Sequence, residues 1–106
     1  MGMTAFARST DPWTSKDAAM RVATLPLKHR IMHIFEEHKF PLTDEQLILE
    51  YRNRVRDYRW TMASDSGIRS RRSELVADGY VIDTGRTELT VSGRHTILWG
   101  MPWTLN

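Results

Sequence analysis

The sequence predicts a single α+β domain, mainly α, in which three to four helices lead into a β-hairpin. Three observations carry this. Leu27, Ile31, Ile34 and Phe35 recur at a period near 3.6, the signature of a helix with one buried stripe. Thr14-Ser-Lys-Asp17 and Thr43-Asp-Glu-Gln46 match capping boxes, the second in full and the first with Asp17 in the usual Glu position. After Gly79 the helical period disappears, and Tyr80-Val-Ile-Asp83 and His95-Thr-Ile-Leu-Trp99 are rich in β-forming residues.

Each element follows from local signals. Residues 1–12 read as an arm, with Asp11-Pro12 as a turn. A first helix runs from the Thr14 box to about Ala23, with Ala18, Ala19 and Val22 on one side. Pro26 suits the first turn of a second helix, which Lys39-Phe-Pro-Leu42 ends. The Thr43 box opens a third helix, carrying Leu47 and Ile48 through Tyr51 and as far as Val55. Arg52 to Ala63 either extends that helix or forms an ordered basic loop. Ser64, Asp65 or Ser66 caps a fourth helix ending near Asp78, with Ile68, Leu75 and Val76 as its buried stripe. Gly79 sits where a helix terminates with positive φ. Thr84-Gly85 and Ser92-Gly93 are turn signals, and Glu88-Leu-Thr-Val91 between them is a further extended candidate. The domain therefore spans 13–100, and 101–106 forms a tail containing Trp103.

Composition narrows the function classes. With 41% hydrophobic and 26% charged residues, the chain has an ordinary globular makeup. It contains no cysteine, which excludes disulfides, thiol nucleophiles and Cys-based metal sites. No apolar run approaches ~18 residues, and Met1 to Arg8 lacks the continuous apolar core of a signal peptide. A cytoplasmic location and no membrane partner are the expectations. There is no Gly-rich phosphate loop, nucleophile elbow or paired-carboxylate constellation, so neither an enzyme nor a cofactor is expected. The net charge is only +2, yet between Arg52 and Arg72 there are seven arginines against Asp57 and Asp65. That local block points to an anionic partner.

The fourth predicted helix is the best candidate surface. Ser66, Arg69, Ser70 and Ser73 fall off its apolar stripe. Arginine can bind guanine edges bidentately, and serine can donate or accept, so this face suits the DNA major groove. The alternative is a solvated polar face. Arg71 is placed for a phosphate or a side contact. The series Arg52, Arg54, Arg56, Arg59 is interleaved with Tyr51, Tyr58 and Trp60, a pattern suited to phosphate contact plus stacking. Its alternative is a charged helix face with core aromatics, so only the arginines, with Thr43 at the start of the third helix, are assigned backbone contacts. Arg86 and Arg94 lie beside glycines on the predicted hairpin and are groove or backbone candidates, or ordinary surface charges.

The residues Pro12-Trp-Thr-Ser-Lys-Asp-Ala-Ala19, Leu42-Thr-Asp-Glu-Gln46, Ser66-Gly-Ile-Arg-Ser-Arg-Arg-Ser-Glu-Leu75, Gly79-Tyr-Val-Ile-Asp-Thr-Gly85 and Ser92-Gly-Arg94 carry a resemblance over roughly 12–99. The chain resembles winged helix-turn-helix proteins, in particular small DNA-binding proteins of actinobacterial bacteriophages. The resemblance implies a supporting third helix, a recognising fourth helix, a β-wing, double-stranded DNA as partner and a role in transcription regulation within a host cytoplasm. It also leaves open a protein-binding module that docks onto a host protein, an architectural DNA-bending protein of the excisionase kind, and a homodimer. Ile68, Leu75 and Gly79 are structural in this scheme. Arg72 stands where such folds place an apolar residue. Its methylene stem can pack while its head pairs with an acid such as Glu45 or Glu50. The Tyr51–Ala63 segment exceeds the ~3–4-residue turn of a tight helix-turn-helix.

The histidines carry a minor alternative. His29, His33 and Glu37 share i, i+4 spacing and could bind zinc, but no HExxH glutamate lies between the histidines. This face is opposite the apolar stripe and is expected to be solvated, with no metal bound. Trp99 is expected in the core. Trp103 is a candidate anchor for a partner or a second copy, with packing of the tail as the alternative.

Overall fold

Pro26 decides where the first described helix begins. In a computed structural model, which describes residues 22–102, Pro26 is the N-cap residue of α1 (Leu27–His38). A 3-10 turn at Val22–Thr24 precedes it. The arm at 1–12, nearly all of the first predicted helix and Trp103 lie outside the described residues. Ile31, Ile34 and Phe35 turn inward from α1, and Lys39 stops the helix in a left-handed conformation, φ 69°.

The second helix, α2 (Asp44–Tyr58), opens with a complete capping box. Gln46 N–H donates to Thr43 Oγ1 at 3.1 Å, and Thr43 N–H donates to Gln46 Oε1 at 3.0 Å. The helix runs past Val55 to Tyr58 and is halted at Arg59, φ 61°. The basic segment thus lengthens α2 and then returns as a link. Within that link Trp60 is 2% exposed. Ser64 caps α3 (Asp65–Ala77) by accepting the Gly67 N–H at 3.0 Å. Ile68 and Leu75 are buried beneath it. Gly79, φ 86°, ends the turn after α3 and lets Tyr80 N–H donate to Leu75 O at 3.0 Å.

The hairpin departs from the local signals. A single strand, β1 (Ile82–Leu89), pairs antiparallel with β2 (His95–Gly100). Thr84-Gly85 is not a turn but part of a bulge. Between the pairs Asp83↔Trp99 and Thr87↔Ile97, β1 uses two more residues than β2. Thr84 Oγ1 donates to Leu98 O at 2.7 Å, and the Asp83 carboxylate accepts the Gly85 N–H at 2.8 Å. The reversal comes at Ser92-Gly93, where Thr90 N–H donates to Arg94 O at 2.8 Å.

Leu42 ties this hairpin to the helices. Leu42 N–H donates to Trp99 O, and Trp99 N–H donates to Leu42 O, both at 2.8 Å. The core collects Ile31, Ile34, Phe35, Leu42, Leu47, Tyr51, Trp60, Ile68, Leu75, Val81 and Met101. Such side chains stabilise by about 1.5–3 kcal/mol each when fully buried. Met101 is 1% exposed, so the domain reaches one residue into the segment assigned to the tail. Tyr51 Oη is satisfied inside this core, donating to Thr61 O and accepting from Arg30 Nη1, each at 2.6 Å. Burial pushes the Tyr51 phenol above its ordinary pKa, with Arg30 opposing. Among the described residues the order is three α-helices and then a two-stranded antiparallel hairpin, an α+β and mainly helical arrangement. Among the described residues no helix is long and apolar enough to cross a membrane.

Candidate nucleic-acid interface

The apolar stripe of α3 determines what its other side presents. With Ile68 and Leu75 inside, Ser66, Arg69, Ser70 and Ser73 are all exposed along the outer face. Among the described residues Arg69 has no carboxylate partner. It lines a depression of about 310 Å³ with Glu45, Ser92, Arg94, His95 and Thr96. The helix face and the hairpin tip therefore share one surface. Arg86 and Arg94 are both exposed on the hairpin.

The remaining arginines behave differently from what their spacing implies. Five of the seven between positions 52 and 72 face carboxylates. Arg52 pairs with Asp65 at 2.5 Å, Arg56 with Asp57 at 2.8 Å, and Arg71 with Glu74 at 2.9 Å. Arg56 and Asp57 stabilise each other's charges, raising the arginine pKa and lowering that of the acid. Arg59 is exposed at the end of α2 without such a partner among the described residues.

Arg54 is a correction. It is 8% exposed and lies between Glu37 at 2.5 Å and Glu50 at 2.8 Å, with its guanidinium 5.9 Å from the Trp60 ring centroid. Burial opposes its charge, and the bonds to Glu50 and Glu37 outweigh that and raise its pKa. It faces the interior because Arg54 continues the Leu47, Tyr51 stripe of α2, so it cannot reach a phosphate. Thr43 is a second correction. It is 3% exposed, and its hydroxyl is committed to the cap.

Arg72 is half-buried, and the acid that meets its head is Asp44. Nε and Nη2 form a fork on the Asp44 carboxylate at 2.8 Å each. Its guanidinium lies 4.0 Å from the Trp99 ring centroid. One side chain thereby joins α3, the start of α2 and β2. Nothing local in the sequence marks Asp44 as the partner, since the two residues are brought together only by the fold.

The histidine face of α1 is not simply solvated. His33 stacks edge-on to Trp60 with centroids 6.1 Å apart, and its Nε2 lies 3.7 Å from Glu37 Oε1, the oxygen that Arg54 also uses. Among the described residues no group of three or more His, Asp or Glu is placed to hold a metal. Burial lowers the His33 pKa, Glu37 opposing and Arg54 reinforcing. The unfolded chain therefore takes up a proton that the folded one resists. Stability from this residue is full above the unfolded pKa of about 6.5 and declines as pH falls through it toward the lower folded value. Urea midpoints measured from pH 7.5 to 5.5 should fall for the native chain and fall less for His33→Gln. Equal slopes would remove the assignment.

The chain matches no family model, no curated protein and no solved structure.

Proposed function

We propose that the protein is a winged helix-turn-helix DNA-binding protein that regulates transcription, a bacteriophage regulator by its sequence resemblance. In this reading α2 supports, α3 lies in the major groove, and the β1–β2 hairpin is the wing. Ser66, Arg69, Ser70 and Ser73 meet base edges. Arg94 and Arg86 meet the backbone or an adjacent groove, and Arg59 meets a phosphate. The observation that carries the reading is the uncommitted Arg69 on an exposed serine-rich helix face, sharing one depression with Arg94 of the hairpin.

The ion pairs refine the electrostatics. Each phosphate met by a free cation contributes about 0.9 to the salt slope. Arg52, Arg56 and Arg71 must first leave their carboxylates to do the same. Fluorescence anisotropy on a randomised duplex pool and on genomic fragments from the source, at two salt concentrations, tests this. Arg69→Ala is expected to lose about 1–3 kcal/mol at its preferred site and to relax the preference at one or two base pairs. Arg94→Ala should lower the salt slope by about 1 and leave the preference intact. An unchanged preference in Arg69→Ala would remove α3 as the recognition helix.

The extent of carboxylate pairing also favours a second reading, a winged-helix module that binds protein. That reading expects weak, salt-labile DNA binding with no sequence preference in the same titration.

A further inference from the structure

A cleft of about 580 Å³ opens between α1 and the C-terminal end of α3. Its volume falls within the range of about 300–1,000 Å³ typical of ligand-holding pockets. Met32 and Tyr80, the latter 59% exposed, supply the accessible apolar lining over a floor of Leu75 and Met101, which are 3% and 1% exposed. A large aromatic left in water beside apolar surface is what protein interfaces enrich.

The charges around it have one sign to spare. Lys28 is held by Asp78 at 3.0 Å and by Glu74 at 3.6 Å, and its pKa is raised chiefly by the bond to Asp78. Glu74 also faces Arg71. Glu36 lines the cleft, is exposed and has no cationic partner among the described residues. The cleft thus combines apolar lining with an uncompensated carboxylate, although the whole chain carries a net +2.

We propose that this cleft docks a basic amphipathic segment of a partner protein, its apolar side chain seated between Met32 and Tyr80 and its lysine or arginine beside Glu36. Apolar anchors set in a groove with complementary charge at the edge are an established mode of peptide capture. Ser66, Arg69, Ser70, Ser73 and Arg94 do not line the cleft. DNA on the outer face of α3 and this segment would therefore occupy separate surfaces, and either assignment can fail without the other.

The test uses the full chain and a fluorescein-labelled peptide with leucines at helical spacing and lysines elsewhere. A counterpart carries glutamate for every lysine. Anisotropy reports binding, and amide shifts in a 15N-labelled sample report its location. The lysine peptide should bind saturably and shift Met32, Gly79 and Tyr80, while the glutamate peptide should not bind. Glu36→Lys, at an exposed position, should weaken binding about tenfold, or about 1.4 kcal/mol, with an unchanged circular dichroism spectrum. Arg69→Ala should leave peptide binding as it was. The proposal is overturned by absent saturation, equal binding of the glutamate peptide, an unaffected Glu36→Lys or shifts centred elsewhere. It is equally overturned if the free protein forms a dimer through Met32 and Tyr80, or shows Trp103 contacts to the Met32 methyl, since the cleft would then be occupied by its own chain.

Discussion

Trp60→Ala is expected to destabilise the fold by about 3–5 kcal/mol, the range for deleting a large buried aromatic. Trp60 is 2% exposed. Its ring meets Tyr51 at 5.3 Å between centroids and His33 at 6.1 Å, both edge-on, and the Arg54 guanidinium at 5.9 Å. It belongs to the link between α2 and α3, so an alanine there leaves a cavity walled by α1 and α2 and frees the link from the core. Small domains retain only about 5–15 kcal/mol in total, so the variant should sit close to its unfolding threshold. Urea titration followed by far-UV circular dichroism is the appropriate measurement, because the substitution removes one of the fluorophores. Trp60→Phe should recover part of the loss. A change below about 1 kcal/mol for the alanine variant would mean that the link is a surface loop, since surface substitutions commonly fall within about 0.5 kcal/mol.

Arg54→Ala is expected to cost about 3 kcal/mol. Removing one member of a buried ion pair typically costs ~3–5 kcal/mol, because the remaining charges lose part of their compensation. The lower end applies because Glu50 remains 29% exposed and can recover water, whereas Glu37 at 18% recovers less. A triple variant, Arg54→Met with Glu37→Leu and Glu50→Leu, should regain most of the stability, since no buried charge is then orphaned. Urea midpoints of the two variants separate this case from an ordinary surface pair, worth about 0–1 kcal/mol. Under conditions where Arg54→Ala remains folded, the salt slope of DNA binding should not change, in contrast to Arg94→Ala.

These two residues mark where sequence patterning stops being informative. The run Arg52, Arg54, Arg56, Arg59 reads as one basic surface, because alternating spacing hides which member continues the Leu47, Tyr51 stripe of α2. On the folded helix Arg54 falls on that stripe, Arg52 and Arg56 fall outside it, and each finds a different acid. The aromatic residues in the same run were legible only as a choice between stacking platforms and core, and Tyr51 and Trp60 went to the core. By contrast, the α3 face could be followed directly. Ile68 and Leu75 define its inner side, and the exposed positions of Ser66, Arg69, Ser70 and Ser73 follow from helical geometry alone.

The amino-acid sequence by itself determined the starts of α1 and α2, the Thr43 capping box and the terminating Gly79, because caps, periodicity and positive-φ glycines act over a few residues. It also determined the reversal at Ser92-Gly93 and the exposed polar face of α3. Tertiary structure decided the rest. The Leu42–Trp99 bridge, the Asp44–Arg72–Trp99 junction and the Glu37–Arg54 pair join residues from different elements. No local pattern encodes them, because each charge or backbone group takes the nearest partner that burial leaves within reach. The bulge at Thr84-Gly85 belongs to the same class. Those two residues suit a tight turn, and pairing with β2 on both sides holds them within one strand instead.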